Sequence, residues 1–216
     1  MVLSDQDLSE AIVAGRLMVE PFDASAIQPS SIDLRLGRLF RVFVNQTETH
    51  IDPKLEQPDL TEEVHVEAGG KFVLHPGDFV LGGTIEKIAM AVDLVGRIEG
   101  KSSLGRLGLM VHSTAGYVDP GFRGKLTLEL SNHANLPILL WPGMRIGQLS
   151  VMQLTNPANK PYGSDGLNSK YQDQPESTPE NPNKNSGRDK KENQSGKSNS
   201  ALMAEFFSIN SDADKK

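Results

Sequence analysis

Most of the chemistry this sequence offers is concentrated between positions 100 and 132, which read GKSSLGRLGLMVHSTAGYVDPGFRGKLTLELSN. Lys101, Ser102, Ser103 and Arg106 place two cations and two hydroxyls within six residues. Ser102 and Arg106 stand four apart, so one helical turn aligns them. A guanidinium forks onto two phosphate oxygens, and hydroxyls and main-chain N–H groups complete such a site. On residue types alone, a capped surface turn accounts for the run equally well.

Further along, Leu126, Leu128 and Leu130 alternate with Lys125, Thr127, Glu129 and Ser131. This period of two predicts a strand with one packed face and one polar face, and it puts Glu129 beside Thr127. A lone strand glutamate is usually just solvated. Glu129 gains interest because a small-residue turn, AGYVDPGF over 115–122, precedes it. Glycines there allow the backbone to approach a sugar and base closely.

Other patterns carry less. Residues 96–102, GRIEGKS, resemble a Walker A loop, but only three residues separate the glycines where four are needed. A Lys-Ser-Ser turn can still hold phosphate. His65-Val66-Glu67 matches half of a zinc deaminase signature. The sequence has no cysteine, so the second half is missing and His65 reads as an exposed loop residue. No two of the five histidines stand at a metal-ligand interval, and His50, His75, His112 and His133 read as structural. The absence of cysteine also excludes disulfides, thiolate metal sites and a cysteine nucleophile.

The elements that must position these residues are mainly strands. Twenty glycines and thirteen prolines among 216 residues, with 6% aromatics, favour short strands and tight turns over a helical bundle. One short N-terminal helix is predicted: Ser4 and Asp7 have capping-box-like spacing, Leu8, Ile12 and Val13 follow at helical intervals, and Gly15 stops it. Ile32, Leu34 and Leu36 then alternate with polar residues, as do Phe40, Val42 and Val44 after a bulge predicted at Gly37. Further strands are expected at 71–74, 78–81, 94–98, 109–112, 125–131 and 144–151. Gly69-Gly70, Pro76-Gly77, Pro120-Gly121 and Pro142-Gly143 mark turns between them. The expected architecture is a sandwich, jelly roll or distorted barrel.

Composition changes after about Gln174. Residues 175–216 are rich in Asn, Ser, Pro and Lys without a period, and read as a disordered tail behind a domain spanning 1–174. The tail's seven cationic and seven anionic residues cancel, so the domain carries the net charge of −6. That charge argues against nucleic acid as a partner. No run of roughly 18 apolar residues exists to span a membrane. The first five residues have neither a basic nor an apolar signal-peptide region, so a cytoplasmic location is expected.

With these residues in view, the chain resembles the dCTP deaminase branch of the dUTPase superfamily. GKSSLGRLGL over 100–109 is similar to the family's phosphate-binding motif, and STAGYVDPGFRGKLTLELSN over 113–132 to its nucleoside-binding and catalytic motif. IQPSSIDL over 27–34, LWPGMRIGQL over 140–149, and PYG with SKYQDQ over 161–174 match three further blocks. The matches run in order across about residues 1 to 175. The resemblance is nearest to the bifunctional, dUMP-forming members.

The resemblance implies a distorted β-barrel or jelly roll of the dUTPase-like type, assembled as a homotrimer with active sites at subunit interfaces. It implies a zinc-independent hydrolase acting on dCTP. Glu129 would be the general acid/base, activating a water that attacks carbon 4 of cytosine. Ser102, Arg106 and the main chain at Ala115 would orient that water and stabilise the tetrahedral intermediate. Lys101, Ser102, Ser103, Leu104, Gly105 and Arg106 would hold the triphosphate, and Asp119 the deoxyribose 3′-hydroxyl. Thr127, Leu128, Glu129 and Gln148 would contact base and nucleotide, and Tyr162, Lys170 and Gln174 would close over the phosphates. Mg2+ would arrive with the triphosphate, held by substrate oxygens and water. Ala115 and Gly116 match members that continue to dUMP, since a glycine leaves room for a second water at the phosphate chain.

Three alternatives stand beside this reading. A deaminase could release dUTP. A plain dUTPase shares the scaffold but ends in a glycine-rich arm and lacks the deaminase glutamate. A non-catalytic nucleotide-binding module would be favoured by loss of Glu129 or Arg106, and both are present.

Overall fold

The computed structural model describes residues 1–44, 49–55, 57–112 and 114–175. The predicted tail therefore lies outside the described residues, Pro175 apart. Helix α1 (Asp5–Val13) leads into strands β1 (Leu17–Glu20), β2 (Ile27–Gln28) and β3 (Ser31–Phe43). Strands β4 (Thr61–His65), β5 (Phe72–Leu74), β6 (Phe79–Met90) and β7 (Leu94–Gly100) follow. A single-turn helix α2 (Ser102–Gly105) precedes β8 (Leu109–Val111), β9 (Tyr117–Val118), β10 (Arg123–Asn132), β11 (Ile138–Leu140) and β12 (Arg145–Gln153).

The architecture is the expected mainly-β one. The strands form a curled half-barrel sheet in the order β8-β10-β6-β3-β12-β7-β9, with β1 added to β6 and both β2 and β4 added to β3. The pairings are antiparallel. Strands β5 and β11 form a separate ribbon. Phe40 of β3 stacks on Phe72 of β5 with ring centroids 4.3 Å apart, which ties ribbon to sheet. Inside the curl lie Leu34, Leu36, Phe40, Ile88, Leu94, Leu128, Leu130 and Leu149, all without measurable exposure. Each contributes roughly 1.5–3 kcal/mol by leaving water.

Helix α1 starts as its spacing predicts. The Ser4 hydroxyl accepts the Asp7 N–H, and the Asp7 carboxylate accepts the Ser4 N–H at 3.0 Å. Gly15, at φ +68°, follows the last turn. Gly37 does not break its strand: β3 runs through it, and the pairing with β6 shifts register between Leu36 and Phe40. A Cβ at Gly37 would sit 3.0 Å from the Gly83 carbonyl oxygen, so the bulge needs glycine. His65 is exposed as expected, but it ends β4 opposite Leu39 rather than lying in a loop. The Walker-like run is strand β7 followed by one helical turn, which leaves no long helix behind the loop.

Candidate active site

Strand β7 ends at Gly100, and the chain turns through Lys101 into α2. The Arg106 N–H donates to the Ser102 carbonyl at 3.0 Å, so these two residues do share one turn. Beside them is a cavity of about 380 Å³ lined by Gly100, Lys101, Ser102, Ser103, Gly105, Leu109, Met110, Val111 and Gln148. Both serines are exposed, Leu104 turns inward onto the core, and Arg106 is exposed outside the cavity wall. Two hydroxyls, an ammonium and the N–H groups of a tight turn suit an oxyanion chain.

Beside the lining residue Gln148, three neighbouring strands meet. Gln148 of β12 lies opposite Asp33 of β3 and Glu99 of β7. Asp33 is only 2% exposed, and its two carboxylate oxygens accept from different cations. One pairs with Lys101 Nζ, the other with Arg145 Nη1 at 3.1 Å. The Ser31 hydroxyl donates to Gln148 Oε1 at 3.4 Å. Sequence reasoning quoted Ser31 and Asp33 within a motif and gave them no task. Asp33 alternates with apolar residues, which looks like a solvated face, but β3 is buried on both sides there.

Strand β10 carries the second group. Leu126, Leu128 and Leu130 are buried, while Lys125, Thr127, Glu129 and Ser131 form the half-buried face. Leu128 therefore offers a ligand only its main chain. The Thr114 hydroxyl donates to Glu129 Oε2 at 3.2 Å, and the His112 N–H donates to the Glu129 carbonyl at 2.8 Å. His112 adopts φ +56°, and its Nε2–H donates to the Ala115 carbonyl at 2.8 Å. Its Nδ1 is buried without a hydrogen-bond partner among the described residues. Ala115 is exposed. Gly116 accepts the Ile98 N–H at 2.7 Å, and a Cβ on it would lie 3.1 Å from the Ile98 carbonyl oxygen. Gly116 thus has a packing reason of its own. Thr114 was not singled out from sequence, because a Ser-Thr pair before a small-residue turn carries little signal, and His112 was read there only as structural.

Residues 161–174 fold back onto the start of β10. Pro120 and Gly121 form the centre of a tight turn closed by the Phe122 N–H on the Asp119 carbonyl at 3.0 Å. Gly121 has φ +84°, the conformation a type II turn requires at its third position. The Tyr162 N–H donates to the Pro120 carbonyl at 2.7 Å, and Gln172 Nε2 to the Gly121 carbonyl at 3.1 Å. Arg123 holds Asp173 through two bonds, the Nη2–Oδ2 one at 2.7 Å. Gln174 Nε2 donates to the Lys125 carbonyl at 2.6 Å and reaches the Thr127 hydroxyl at 3.4 Å. Burial, with the nearby Asp119 charge adding to it, pushes the Tyr162 phenol above its ordinary pKa. Lys170 is half-buried and Asp119 exposed. Arg123, Gln172 and Asp173 escaped sequence reasoning because nothing in one dimension shows which residue a returning segment meets.

The chain thus brings Lys101, Ser102, Ser103, Gly105 and Gln148 to one cavity, and Gln174 to Thr127 on the Glu129 face, while Tyr162 packs by Phe122 just ahead of β10. Glu129, Asp119 and Tyr162 are not among the cavity's walls. No group of three or more His, Cys, Asp or Glu side chains that could hold a metal ion occurs among the described residues.

Comparison with known proteins identifies the family. Residues 2–154 match the family described as dCTP deaminase-like. The chain is 62% identical over 179 residues to "dCTP deaminase, dUMP-forming" of Corynebacterium diphtheriae, covering 83% of this chain and 96% of that relative. It is equally identical to the protein of that name from Mycolicibacterium vanbaalenii, at 83% and 94% coverage. Among solved structures, the 2'-deoxycytidine 5'-triphosphate deaminase of Agrobacterium tumefaciens superimposes with a TM-score of 0.54 at 26% identity. That match covers 69% of this chain and 47% of the solved one, so this chain spans about half the solved protein's length. This chain belongs to the dCTP deaminase-like family.

Proposed function

We propose that this protein hydrolyses dCTP, as its magnesium complex, to dUMP, diphosphate and ammonia. The observation that carries the reading is the near full-length, 62% identity to relatives named as dUMP-forming dCTP deaminases. The residues supply a matching chemistry. Glu129, held by Thr114, takes a proton from water, and the resulting hydroxide adds to carbon 4 of cytosine. The proton passes to the 4-amino group, which leaves as ammonia. Ser102, Arg106 and the main chain at Ala115 stabilise the tetrahedral intermediate as fixed donors. Lys101, Ser103 and Gly105 hold the triphosphate, with Gln148 at its base side. Asp119 takes the 3′-hydroxyl, and Tyr162, Lys170 and Gln174 close the site. A second water then attacks the phosphate chain beside Ala115 and Gly116, releasing diphosphate.

The complete site forms between chains of a homotrimer, a reading supported by Glu129 and Arg106 both lying outside the lining of the phosphate-side cavity. Domain 1–174 suffices for this and the tail is dispensable. No helix among the described residues is long and apolar enough to cross a membrane, and a cytoplasmic location fits a nucleoside triphosphate substrate. The test is incubation of purified protein with dCTP and magnesium, followed by chromatographic identification of the nucleotide. The expected product is dUMP; unchanged dCTP contradicts the assignment.

A further inference from the structure

Two side chains of the 27–34 segment lie beneath the phosphate-side cavity, Asp33 below Lys101 and Ser31 beside Gln148. Asp33 is buried at 2% exposure and Ser31 at 5%. A carboxylate this buried is retained at a desolvation penalty unless paired, and here each oxygen meets a cation. Lys101 and Arg145 bring two positive charges against its one negative charge, so the trio leaves one net positive charge at the cavity floor. An ammonium has three donors. One is engaged by Asp33, and the others are left for phosphate oxygens. Without Asp33 the four-carbon stem of Lys101 has no fixed partner at the floor, and Arg145 repels its ammonium.

We propose that Asp33 is a positioning residue for the triphosphate, fixing the Lys101 ammonium at the cavity floor while Ser31 sets Gln148 in the same layer. The proposal rests on the reading of Lys101 as a phosphate ligand. It differs from a purely structural ion pair in what it predicts for kinetics. A structural pair lowers stability and activity together, whereas a positioning residue moves KM for the triphosphate and leaves kcat.

The test is a double-mutant cycle in the full-length protein, with KM and kcat for dCTP and the melting temperature as readouts. Asp33→Asn raises KM about tenfold, on the scale of one charge-assisted hydrogen bond, with kcat within about twofold. Lys101→Met does the same, and Asp33→Asn adds nothing in the Lys101→Met background. Where Asp33→Asn alone fails to fold, Asp33→Asn with Arg145→Gln, which restores the trio's net charge, takes its place, and its KM stays raised relative to Arg145→Gln alone. Unchanged KM in Lys101→Met overturns the phosphate reading itself. A raised KM in Lys101→Met, with Asp33 variants at wild-type KM or with additive effects, overturns the positioning role alone. In the wild-type protein, amine acylation mapped by mass spectrometry is slower at Lys101 than at the exposed Lys54 before any nucleotide is added. Equal rates also overturn it.

Discussion

Gly121→Ala separates the closing of the site from the stability of the fold. Gly121 sits at φ +84°, where a side chain costs roughly 1–2 kcal/mol. Its new Cβ would also lie 2.7 Å from Pro161 Cβ, against an ordinary carbon–carbon contact of about 3.5 Å or more. Pro161 must retreat by about 0.8 Å or more to reach that contact. That movement stretches the Tyr162 N–H bond to Pro120, now 2.7 Å, out of hydrogen-bond range and strains the Gln172 bond to Gly121. Two net hydrogen bonds are worth about 2 kcal/mol, so docking of residues 161–174 weakens about thirtyfold. Steady-state kinetics with dCTP should show KM raised by about that factor, and limited proteolysis should cut after Lys170 sooner. Gly77→Ala is the matched control. It has φ +82° with nothing within 4 Å of the added Cβ, so it carries the strain without the clash. Both variants should melt a few degrees lower, and only Gly121→Ala should change KM. Equal KM values in the two variants would refute the closing role of this segment.

Three further outcomes are expected. Glu129→Gln should lower ammonia release by several powers of ten while dCTP binding, measured calorimetrically, stays near wild type; mixed trimers of Glu129→Gln and Arg106→Ala chains should recover about a quarter of the sites by random assortment. Ending the chain after Gln174 should leave turnover near normal, whereas ending it before Tyr162 should abolish it. Stability should hold from neutral pH down to about pH 5 and fall below about pH 4. The Ser4 N–H and hydroxyl hold the Asp7 carboxyl below its ordinary pKa, and those of Ser25 do the same for Asp23. Burial pushes Asp93 up, but bonds from Gln153 and Arg16 outweigh it and hold it low. A pKa lower folded than unfolded stabilises above the ordinary value and is lost on acidification, so urea midpoints should drop only at the acid end.

Strand β10 was legible because one of its faces is buried and the other is not, which writes the alternation directly into Lys125–Ser131. Helix α1 was legible because its caps are local. Strand β1 was not: Leu17, Met18 and Val19 are all buried, which erases the period. The strand expected at 78–81 stops short of the second half of β6, where Gly82 and Gly83 interrupt the run of large residues. Both glycines are buried in the strand; Gly82 leaves room for Leu130, whose Cδ1 would be 3.0 Å from a Cβ there. Strand β4 shows mostly polar residues because it is an outer strand added to β3. In the site, the local run Lys101–Arg106 and the strand residue Glu129 stand out by type and spacing. Asp33, Thr114 and Asp173 do not, because each acts on a residue 15 to 68 positions away.

Deamination of dCTP and cleavage of its triphosphate by one protein can be followed in a single reaction. A single-turnover quench experiment, with enzyme in excess over dCTP and magnesium present, measures dUMP, dUTP, diphosphate and ammonia in the same samples. The expected result is dUMP, diphosphate and ammonia rising at matched rates with little free dUTP. Stoichiometric accumulation of dUTP alongside ammonia would contradict it and leave a deaminase that stops at the triphosphate.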